Sequence, residues 1–434
     1  GNTGIYANLD PRKDGDGTIY TSENLFTAMA KLGAVPDDEY SKLFQVPGLV
    51  DNNGDALPGV VFDVFPGAPT IDDEGYIGTK GNYLKLDLGQ TGVFYRKLTS
   101  GLDDLGTLHV IANSETSIPA PIQGSRTKTC YNDTFGLTTF GSTAPPSVAK
   151  GRMVFLGLDN ETDPMCGGIY EAEMTGEDNP VLMTLVDLET AVPDESDEIF
   201  SQIGEVLSYD GNAVTFWGAW GNETREIKLC CPSSGNKDRR FFCLYNDTNT
   251  IGSEGALDDC DSGKYQEKMV PINQGFFVYN KDGGTINTIA KIVSDDMNDM
   301  LFWTYSGKPP NAGPSEGDGD SDAAEPPRWR SSTTAALSRF DRVVYKQMKG
   351  GEVGIWYWNG YVSEVIVKTG DACTDLDDDG VGLIESLAME RDGFRGPMLA
   401  IAAACAEELT DDVDSDDGDW GGIYLKQICS LDEE

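Results

Sequence analysis

One three-residue pattern recurs along the whole chain and constrains its fold more than any other feature. A glycine is followed by an apolar residue and then by an aromatic one at six places: Gly4, Gly92, Gly168, Gly275, Gly354 and Gly422. Each copy lies in a short apolar run bounded by turn-forming residues. Each therefore predicts a β-strand.

Two further strand patterns accompany the triplet. One is a glycine that leads into an apolar strand, as in residues 151–157, 211–218 and 396–403, and more loosely in 59–65 and 75–81. The other is an apolar run that ends in a small-residue or proline turn, in residues 26–36, 108–119, 181–193, 286–295 and 362–372. All three patterns occur in order within residues 150–193, which predicts a small antiparallel meander there.

The repetition of these patterns predicts the architecture. Strand signatures that recur in a fixed order are typical of β-propellers and β-solenoids. Apolar residues occupy both faces of these strands, and the loops are long, which favours propeller blades. We therefore expect an all-β protein, a single propeller domain over residues 1–434 with five or six blades. A Cys-rich insertion at 230–266 and an acidic, Pro/Gly-rich insertion at 311–330 interrupt it.

The repeats resemble a known class of tandem-repeat proteins. Residues Tyr209–Phe216 and Ala149–Phe155, together with the Gly-Ile-Tyr triplets, are similar to the degenerate N-x-x-G-x-x-A-F repeats of secreted, propeller-like proteins. The leading asparagine is missing from these copies. The resemblance implies a propeller fold and secretion, and it implies no reaction.

The charge of the chain bears on its partners. There are 73 acidic and 32 basic residues, which give a formal net charge of −41. Such a surface repels nucleic acids and anionic membranes, and it attracts divalent cations. The longest uncharged apolar run, Pro397–Ala406, is about half of what a bilayer span requires. Since the chain starts at Gly1 without a methionine, we expect a processed, mature form.

Cysteines and glycosylation motifs indicate an extracellular protein. The chain has nine cysteines, and four of them cluster between Cys230 and Cys260 in a Gly/Asp-rich segment without an obvious core. Disulfides suit such a segment and form in oxidising compartments. Four N-x-T motifs predict N-linked glycans in turns between strands, at Asn132, Asn160, Asn222 and Asn246.

Two acidic loops are candidate Ca²⁺ sites. Asp375, Asp377 and Asp379 alternate ahead of Gly380, a spacing that lets a loop wrap a cation, and Glu385 follows. The alternative is a solvated acidic turn. Asp14 and Asp16 lie in a loop similar to that of an EF-hand, although Arg12 occupies its first ligand position. The same segment also fits the propeller repeat, which is the interpretation we prefer. A third acidic run, residues 411–419, offers the same two alternatives.

Signals for catalysis are weak. The G-x-S-x-G sequence at 313–317 lies in an acidic, proline-rich loop, without the strand and helix that a nucleophile elbow needs. His109 lies within an apolar run and is predicted to be a core or blade-face residue. Six tryptophans, at positions 217, 220, 303, 356, 358 and 420, are expected to pack between blades, with sugar stacking as the alternative.

These observations favour a structural protein. We expect a non-enzymatic extracellular scaffold, or a filament or matrix subunit, that self-associates, carries N-glycans and is assisted by Ca²⁺. The alternative is a carbohydrate-active propeller, either a lectin or a glycoside hydrolase. The two differ in their sites, because a hydrolase needs carboxylates that converge in one pocket.

Overall fold

The structure is a computed structural model, and it divides the chain into two compact units. They separate between Thr190 and Ala191. The described residues are 4–8, 26–31, 45–51, 57, 59–86, 88–98, 107–120, 138–252, 260, 262–292, 299–307, 327–376, 382–406 and 420–428. In residues 4–8, 26–31 and 420 the backbone alone is described. The prediction of a single domain over residues 1–434 stays a prediction.

The first unit contains a hairpin and two larger antiparallel sheets. In the hairpin, β1 (Gly4–Asn8) pairs with β2 (Phe26–Lys31). Sheet I comprises β3 (Phe62–Val64), β4 (Thr70–Ile71), β5 (Tyr76–Lys85), β6 (Leu88–Lys97) and β7 (His109–Asn113). Sheet II comprises β8 (Ser142–Thr143), β9 (Ser147–Ala149), β10 (Arg152–Leu158), β11 (Gly167–Glu173) and β12 (Met183–Asp187). Strands β10, β11 and β12 form the meander predicted for residues 150–193.

The second unit contains three larger sheets. Sheet III comprises β13 (Phe200–Ile203), β14 (Ser208–Tyr209), β15 (Ala213–Trp220), β19 (Gln274–Asn280) and β20 (Thr285–Ile292). Sheet IV comprises β23 (Ala335–Arg339), β24 (Arg342–Lys349), β25 (Glu352–Trp358) and β26 (Ser363–Lys368). Sheet V comprises β27 (Leu383–Ala388), β28 (Phe394–Arg395), β29 (Met398–Ala406) and β30 (Trp420–Gln427).

Two smaller sheets and a short helix complete the second unit. Strands β16 (Thr224–Cys230), β17 (Ile251–Gly252) and β18 (Lys264–Pro271) form one of these sheets. Strands β21 (Phe302–Ser306) and β22 (Arg328–Ser332) form the other. The helical segments are α1 (Lys237–Phe241), a π-helical turn (Phe242–Asn246) and a 3-10 turn (Cys373–Asp375).

The five larger sheets share one strand plan, with a fourth strand described in sheets I to IV, and the sequence patterns map onto it. The first strand is split into two short pieces in every sheet except sheet IV. The glycine-led apolar pattern forms the second strand of sheets I, II, III and V, and the Gly-apolar-aromatic triplet forms the third strand of all five. The looser pattern at 59–65 contains a strand as predicted, β3, but this is a three-residue piece of the first strand and not a second strand.

The third strand uses its glycine to let an aromatic ring lie close to the backbone. In sheets I, II and III this glycine pairs across the ladder with a glycine of the second strand, as in Gly157 and Gly168. A phenylalanine from the first strand or just before it covers the second-strand glycine and meets the aromatic residue of the triplet edge to face. The three ring pairs are Phe62–Phe94, Phe140–Tyr170 and Phe200–Phe277, with centroids 4.9, 5.3 and 5.1 Å apart.

The fourth strand joins the third through a bulge that recurs at one position. The register shifts between the apolar and the aromatic residue of the triplet in β6, β11, β19 and β25. Hairpin β1–β2 has the same shift between Ile5 and Tyr6, so it corresponds to a third and a fourth strand. The triplet therefore marks both a strand and the place where its outer ladder is irregular.

Candidate interaction site

The most distinctive surface of the second unit is an extension at one end of sheet III. It runs from β16 to β18, residues 224–271, and joins β15 to β19. The Trp220 amide donates to the Asn273 carbonyl, and the Ile272 amide donates to the Glu223 carbonyl, at 3.2 and 3.0 Å. Because its first and last strands pair as a ribbon, the extension is longer at both ends than the predicted insertion, 230–266. We call residues 224–271 the stapled extension.

Two disulfides hold the stapled extension, as the clustered cysteines predicted. Cys230 bonds to Cys260, and Cys231 bonds to Cys243. The second bond ties the end of β16 to the π-helical turn and is 5% exposed at Cys231 and fully buried at Cys243. A short segment of this kind buries little apolar surface. Its fold is therefore stabilised by disulfides, because its small core is not sufficient. Cys373 bonds to Cys405 in sheet V, and Cys166 is also disulfide-bonded.

Asp247 is the polar centre of the stapled extension. Its Oδ2 accepts hydrogen bonds from the Tyr305 hydroxyl at 2.6 Å and from Gln266 Nε2 at 2.8 Å. Its Oδ1 accepts from the Asn249 amide at 3.0 Å. Burial acts to raise the pKa of Asp247, but these hydrogen bonds outweigh it and hold the pKa below its ordinary value. The ionised carboxylate therefore stabilises this arrangement.

The hairpin β21–β22 supports the extension from one side. Tyr305 of β21 and Trp329 of β22 pack with Cys231, Cys243 and the neighbouring Phe242 and Leu244. Arg239 Nε also donates to the Gly307 carbonyl at 2.7 Å. The predicted acidic insertion, 311–330, overlaps this hairpin: β22 begins at Arg328, and residues 308–326 lie outside the described ones.

The extension also presents aromatic rings to solvent. Phe241 and Tyr245 are 55% and 53% exposed, and their ring centroids are 4.8 Å apart. Lys264 Nζ lies 4.5 Å from the centroid of the Tyr245 ring. Exposed aromatic side chains on a disulfide-held segment bring apolar area to a contact at little cost in side-chain entropy. This aromatic pair can stack on a sugar ring or pack in a protein interface.

The charge of Asp247 makes the extension sensitive to acid. A carboxylate whose pKa is lowered on folding contributes stability above its unfolded pKa, near 4, and that stability is lost as the pH falls through the lower folded value. We expect the near-ultraviolet circular dichroism of the extension to change in that acidic range. Asp247→Asn preserves the N-x-T glycosylation motif at Asn246. It should lower the stability of the extension at neutral pH and remove the part of the acid transition that is due to the Asp247 carboxylate.

The exposed Glu267 on β18 provides the matched control for this titration. Glu267→Gln removes one exposed carboxylate from the same extension and should leave the acid transition as it is in the wild type. If Asp247→Asn and Glu267→Gln gave superimposable titrations, Asp247 would not be the group that links the extension to pH.

The loop after Cys373 contains the stronger of the predicted Ca²⁺ sites. The Cys373 amide donates to the Gly382 carbonyl at 3.0 Å, which closes the neck of this loop, and the disulfide to Cys405 anchors it to β29. Asp375 is exposed on the 3-10 turn, and Glu385 is exposed at a bulge of β27. Asp377 and Asp379 lie outside the described residues. Among the residues that are described, no group of three His, Cys, Asp or Glu side chains has the arrangement of a metal site.

The other predicted acidic loops lie largely outside the description. Asp14, Asp16 and residues 411–419 are not among the described residues. However, β2 occupies Phe26–Lys31, where an EF-hand would place its second helix. The strand agrees with the preferred repeat interpretation of this segment.

Three of the four predicted glycosylation motifs are exposed. Asn160 lies in the turn between β10 and β11, where its Oδ1 accepts from the Thr162 amide at 2.8 Å. Asn222 lies in the turn between β15 and β16, and Asn246 ends the π-helical turn beside Tyr245. Asn132 lies outside the described residues. The three described asparagines are thus accessible to a glycosyltransferase.

The candidate catalytic histidine and three of the tryptophans lie in structural settings. Trp217, Trp220 and Trp358 are 4%, 2% and 6% exposed, as expected for packing residues. The side chain of His109 is 17% exposed. Its ring stacks on Tyr95 with centroids 5.2 Å apart, and its Nδ1 lies 3.3 Å from Asp178 Oδ1. Asp178 Oδ1 also accepts from the Val110 amide at 2.9 Å, so it ties a turn to β7.

Comparison with known proteins bears on the fold. No protein-family model and no curated protein matches the chain. Among solved structures, it is similar to an oligogalacturonate lyase in complex with manganese, at 7% identity and a TM-score of 0.36, over 86% of this chain and 67% of that one. An α-L-arabinofuranosidase from Podospora anserina in complex with cellotriose gives 7% identity and a TM-score of 0.30, over 88% and 95%.

A third solved structure is itself described as a propeller. It is the β-propeller domain of the Trilobed protease from Pyrococcus furiosus, with 9% identity and a TM-score of 0.21 over 86% of this chain and 97% of that one. The all-β, propeller-class fold is confirmed. Identities and TM-scores this low carry no argument, and the all-β fold is seen in the strands and sheets of the chain itself. Within the part of the chain that is described, no helix has the length and apolar character of a membrane span.

Proposed function

We propose that the protein is a non-enzymatic, secreted structural protein, an extracellular scaffold or a filament or matrix subunit that associates with copies of itself. The stapled extension carries this proposal. It is added to one hairpin of a complete sheet, it is held by two disulfides, and it keeps Phe241 and Tyr245 in solvent. Rigid elements that display apolar rings are suited to protein contacts.

The covalent chemistry supports an extracellular location. Three disulfides among the described residues persist best outside the reducing cytosol. Asn160, Asn222 and Asn246 are exposed and would carry N-linked glycans in that setting. The net charge of −41 keeps such a protein soluble and makes any association dependent on ionic strength.

Calcium would assist this role at the loop after Cys373. Carboxylate oxygens are the ligands that Ca²⁺ prefers, and the sequence supplies Asp375, Asp377, Asp379 and Glu385 around one anchored neck. A bound cation would neutralise part of the local charge. Copies of a strongly acidic chain could then approach each other at lower electrostatic cost.

A carbohydrate-active propeller, either a lectin or a glycoside hydrolase, is the second candidate. The observation that favours it is the exposed Phe241–Tyr245 pair, because sugar rings stack on aromatic faces. Phe241→Ala should then abolish retention on immobilised glycans. The scaffold proposal predicts that neither the wild type nor the Phe241→Ala variant is retained on immobilised glycans.

The mass of the native protein tests the scaffold proposal. We expect multi-angle light scattering of the glycosylated protein, in calcium-containing buffer, to show assemblies larger than one chain. EDTA should reduce their mass, and restored Ca²⁺ should recover it. A monomer at every concentration and salt level would overturn the scaffold proposal, whereas assemblies that ignore EDTA would remove Ca²⁺ from it.

A further inference from the structure

One N-x-T motif of the stapled extension lies beside exposed aromatic rings. Asn246 directly follows Tyr245 at the end of the π-helical turn, and both Asn246 and Thr248 are exposed. Phe241, five residues before Asn246, is 55% exposed. The acceptor asparagine and two apolar rings therefore share one short segment of the extension.

The other described motifs have buried aromatic neighbours in the sequence. The aromatic residues that most closely precede Asn160 and Asn222 are Phe155 and Trp220. These two side chains are 0% and 2% exposed. Among the described motifs, an exposed ring within about one helical turn of the acceptor is thus found at Asn246.

The geometry of the turn sets the acceptor and the rings on one side. The Asp247 amide donates to the Phe242 carbonyl at 2.8 Å, so the hydrogen bond of this turn spans five residues. Phe241 and Tyr245 contact each other across four positions, with centroids 4.8 Å apart, and Asn246 lies one position further. Helical side chains lean towards the N-terminal end of their helix. A group attached to Asn246 is therefore directed back towards Phe241.

The base of the turn is fixed, which holds the attachment point in place. The Asp247 carboxylate accepts from the Tyr305 hydroxyl at 2.6 Å and from Gln266 Nε2 at 2.8 Å. Cys243, within the turn, is disulfide-bonded to Cys231. A sugar attached to a rigid turn loses less conformational freedom when it packs on a neighbouring ring than one attached to a loose loop.

Phe241 is the ring that can accept a sugar. The neighbouring Tyr245 already packs with Lys264, whose Nζ lies 4.5 Å from its ring centroid. Among the described residues, the ring neighbour of Phe241 is Tyr245, and more than half of the Phe241 side chain is in solvent. Pyranose rings present C–H groups on one face, and these pack on the negative face of an aromatic ring.

We propose that the first sugar of an N-linked glycan on Asn246 packs against the ring of Phe241 and so stabilises the stapled extension. This inference rests on the proposed secretion and N-glycosylation, and it gives one of the glycans a structural role. The sugar covers apolar surface that is otherwise in water. Tyr245 and the rest of the extension remain available to the self-association proposed above.

A double-mutant cycle on the full-length protein, expressed with its glycans, tests the proposal. Thr248→Ala prevents glycosylation but retains Asn246, and Phe241→Ala removes the ring. Cleavage by a lysine-specific endoproteinase after the exposed Lys237 reports the opening of the extension. Each substitution should speed this cleavage about fivefold, and the double variant should be cleaved no faster than Phe241→Ala alone, because both substitutions remove the same contact.

Thr162→Ala provides the matched control, because it prevents glycosylation of Asn160 in the first unit. This variant should be cleaved after Lys237 at the wild-type rate. Asn246→Gln removes the same glycan as Thr248→Ala and should match its cleavage rate, which separates the loss of the sugar from the loss of the threonine side chain.

Two outcomes would overturn the proposal. Additive effects of Thr248→Ala and Phe241→Ala on the logarithm of the cleavage rate would show that the sugar shields the extension without contacting the ring. Mass spectrometry that finds Asn246 unoccupied would remove the glycan itself, and the proposed glycosylation would fall with it if every other motif were also unoccupied. Both results leave the assembly mass, on which the scaffold proposal depends, untouched. A monomer that carries the glycan and shows the non-additive cycle would overturn the scaffold proposal alone.

Discussion

Gly168→Ala should lower the free energy of unfolding of the first unit by about 3 kcal/mol, because the added carbon meets backbone that cannot yield. A Cβ on Gly168 would lie 2.1 Å from the Val186 carbonyl oxygen and 2.6 Å from the Asp187 Cα. The ladder between β11 and β12 would have to open to admit it. Differential scanning calorimetry should show a fall in melting temperature of roughly 6–12 °C.

Gly89→Ala is the control for this substitution. Gly89 also lies on a third strand, β6, but a Cβ there would meet no atom within 4 Å. Alanine at this position should be neutral or slightly stabilising, since it reduces the freedom of the unfolded chain. If the two alanine variants melted together, the tight glycine contact of sheet II would not contribute to stability.

Phe140→Ala should destabilise the first unit by about 3–5 kcal/mol, through lost burial and the cavity that remains. Phe140 is 1% exposed and lies against the second-strand Gly157. Its ring centroid is 5.9 Å from that of Phe155 and 5.3 Å from that of Tyr170. Equilibrium urea denaturation, followed by tyrosine fluorescence, measures the loss.

Phe140→Leu and Phe340→Ala are the controls for Phe140→Ala. Leucine refills part of the cavity and should recover part of the loss. Phe340 is 38% exposed, so its truncation should cost far less. Equal effects of truncation at positions 140 and 340 would show that the ring cluster over the glycine pair is not a specific source of stability.

Much of the strand plan could be predicted from the sequence, because the patterns are local. The triplets at Gly92, Gly168, Gly275 and Gly354 predicted third strands, and apolar runs that end in turns predicted the fourth strands. The periodicity of apolar residues reflects which side chains face a core, and it can be recognised within a short segment of sequence. Apolar residues on both strand faces likewise predicted that both would be buried, as they are along all of β15.

Features that depend on distant contacts were not predicted. The phenylalanine over each second-strand glycine lies far from it in sequence, so the glycine alone gave no sign of the ring. The pairings of Cys230 with Cys260 and of Cys231 with Cys243 are one choice among many that nine cysteines allow. The bounds of the stapled extension were missed because β16, with its alternating charges, has none of the three repeat signatures.

The exposed aromatic ring of the stapled extension was missed for a related reason. On the stapled extension, Phe241 and Phe242 are adjacent and identical. The first is 55% exposed, while the second packs against the disulfide core.

The stapled extension joins sheet III in a way that should allow it to be removed or transferred, both in protein engineering and during evolution. Its two ends meet as neighbouring strands of a ribbon, so a hairpin turn of a few residues could replace residues 224–271 without altering the register of β15 and β19. The converse graft, an extension transplanted onto the Gly350–Gly351 turn of sheet IV, needs the same geometry. Segments inserted at the hairpin between the second and third strands can thus be exchanged while the packed cores of the sheets stay unchanged.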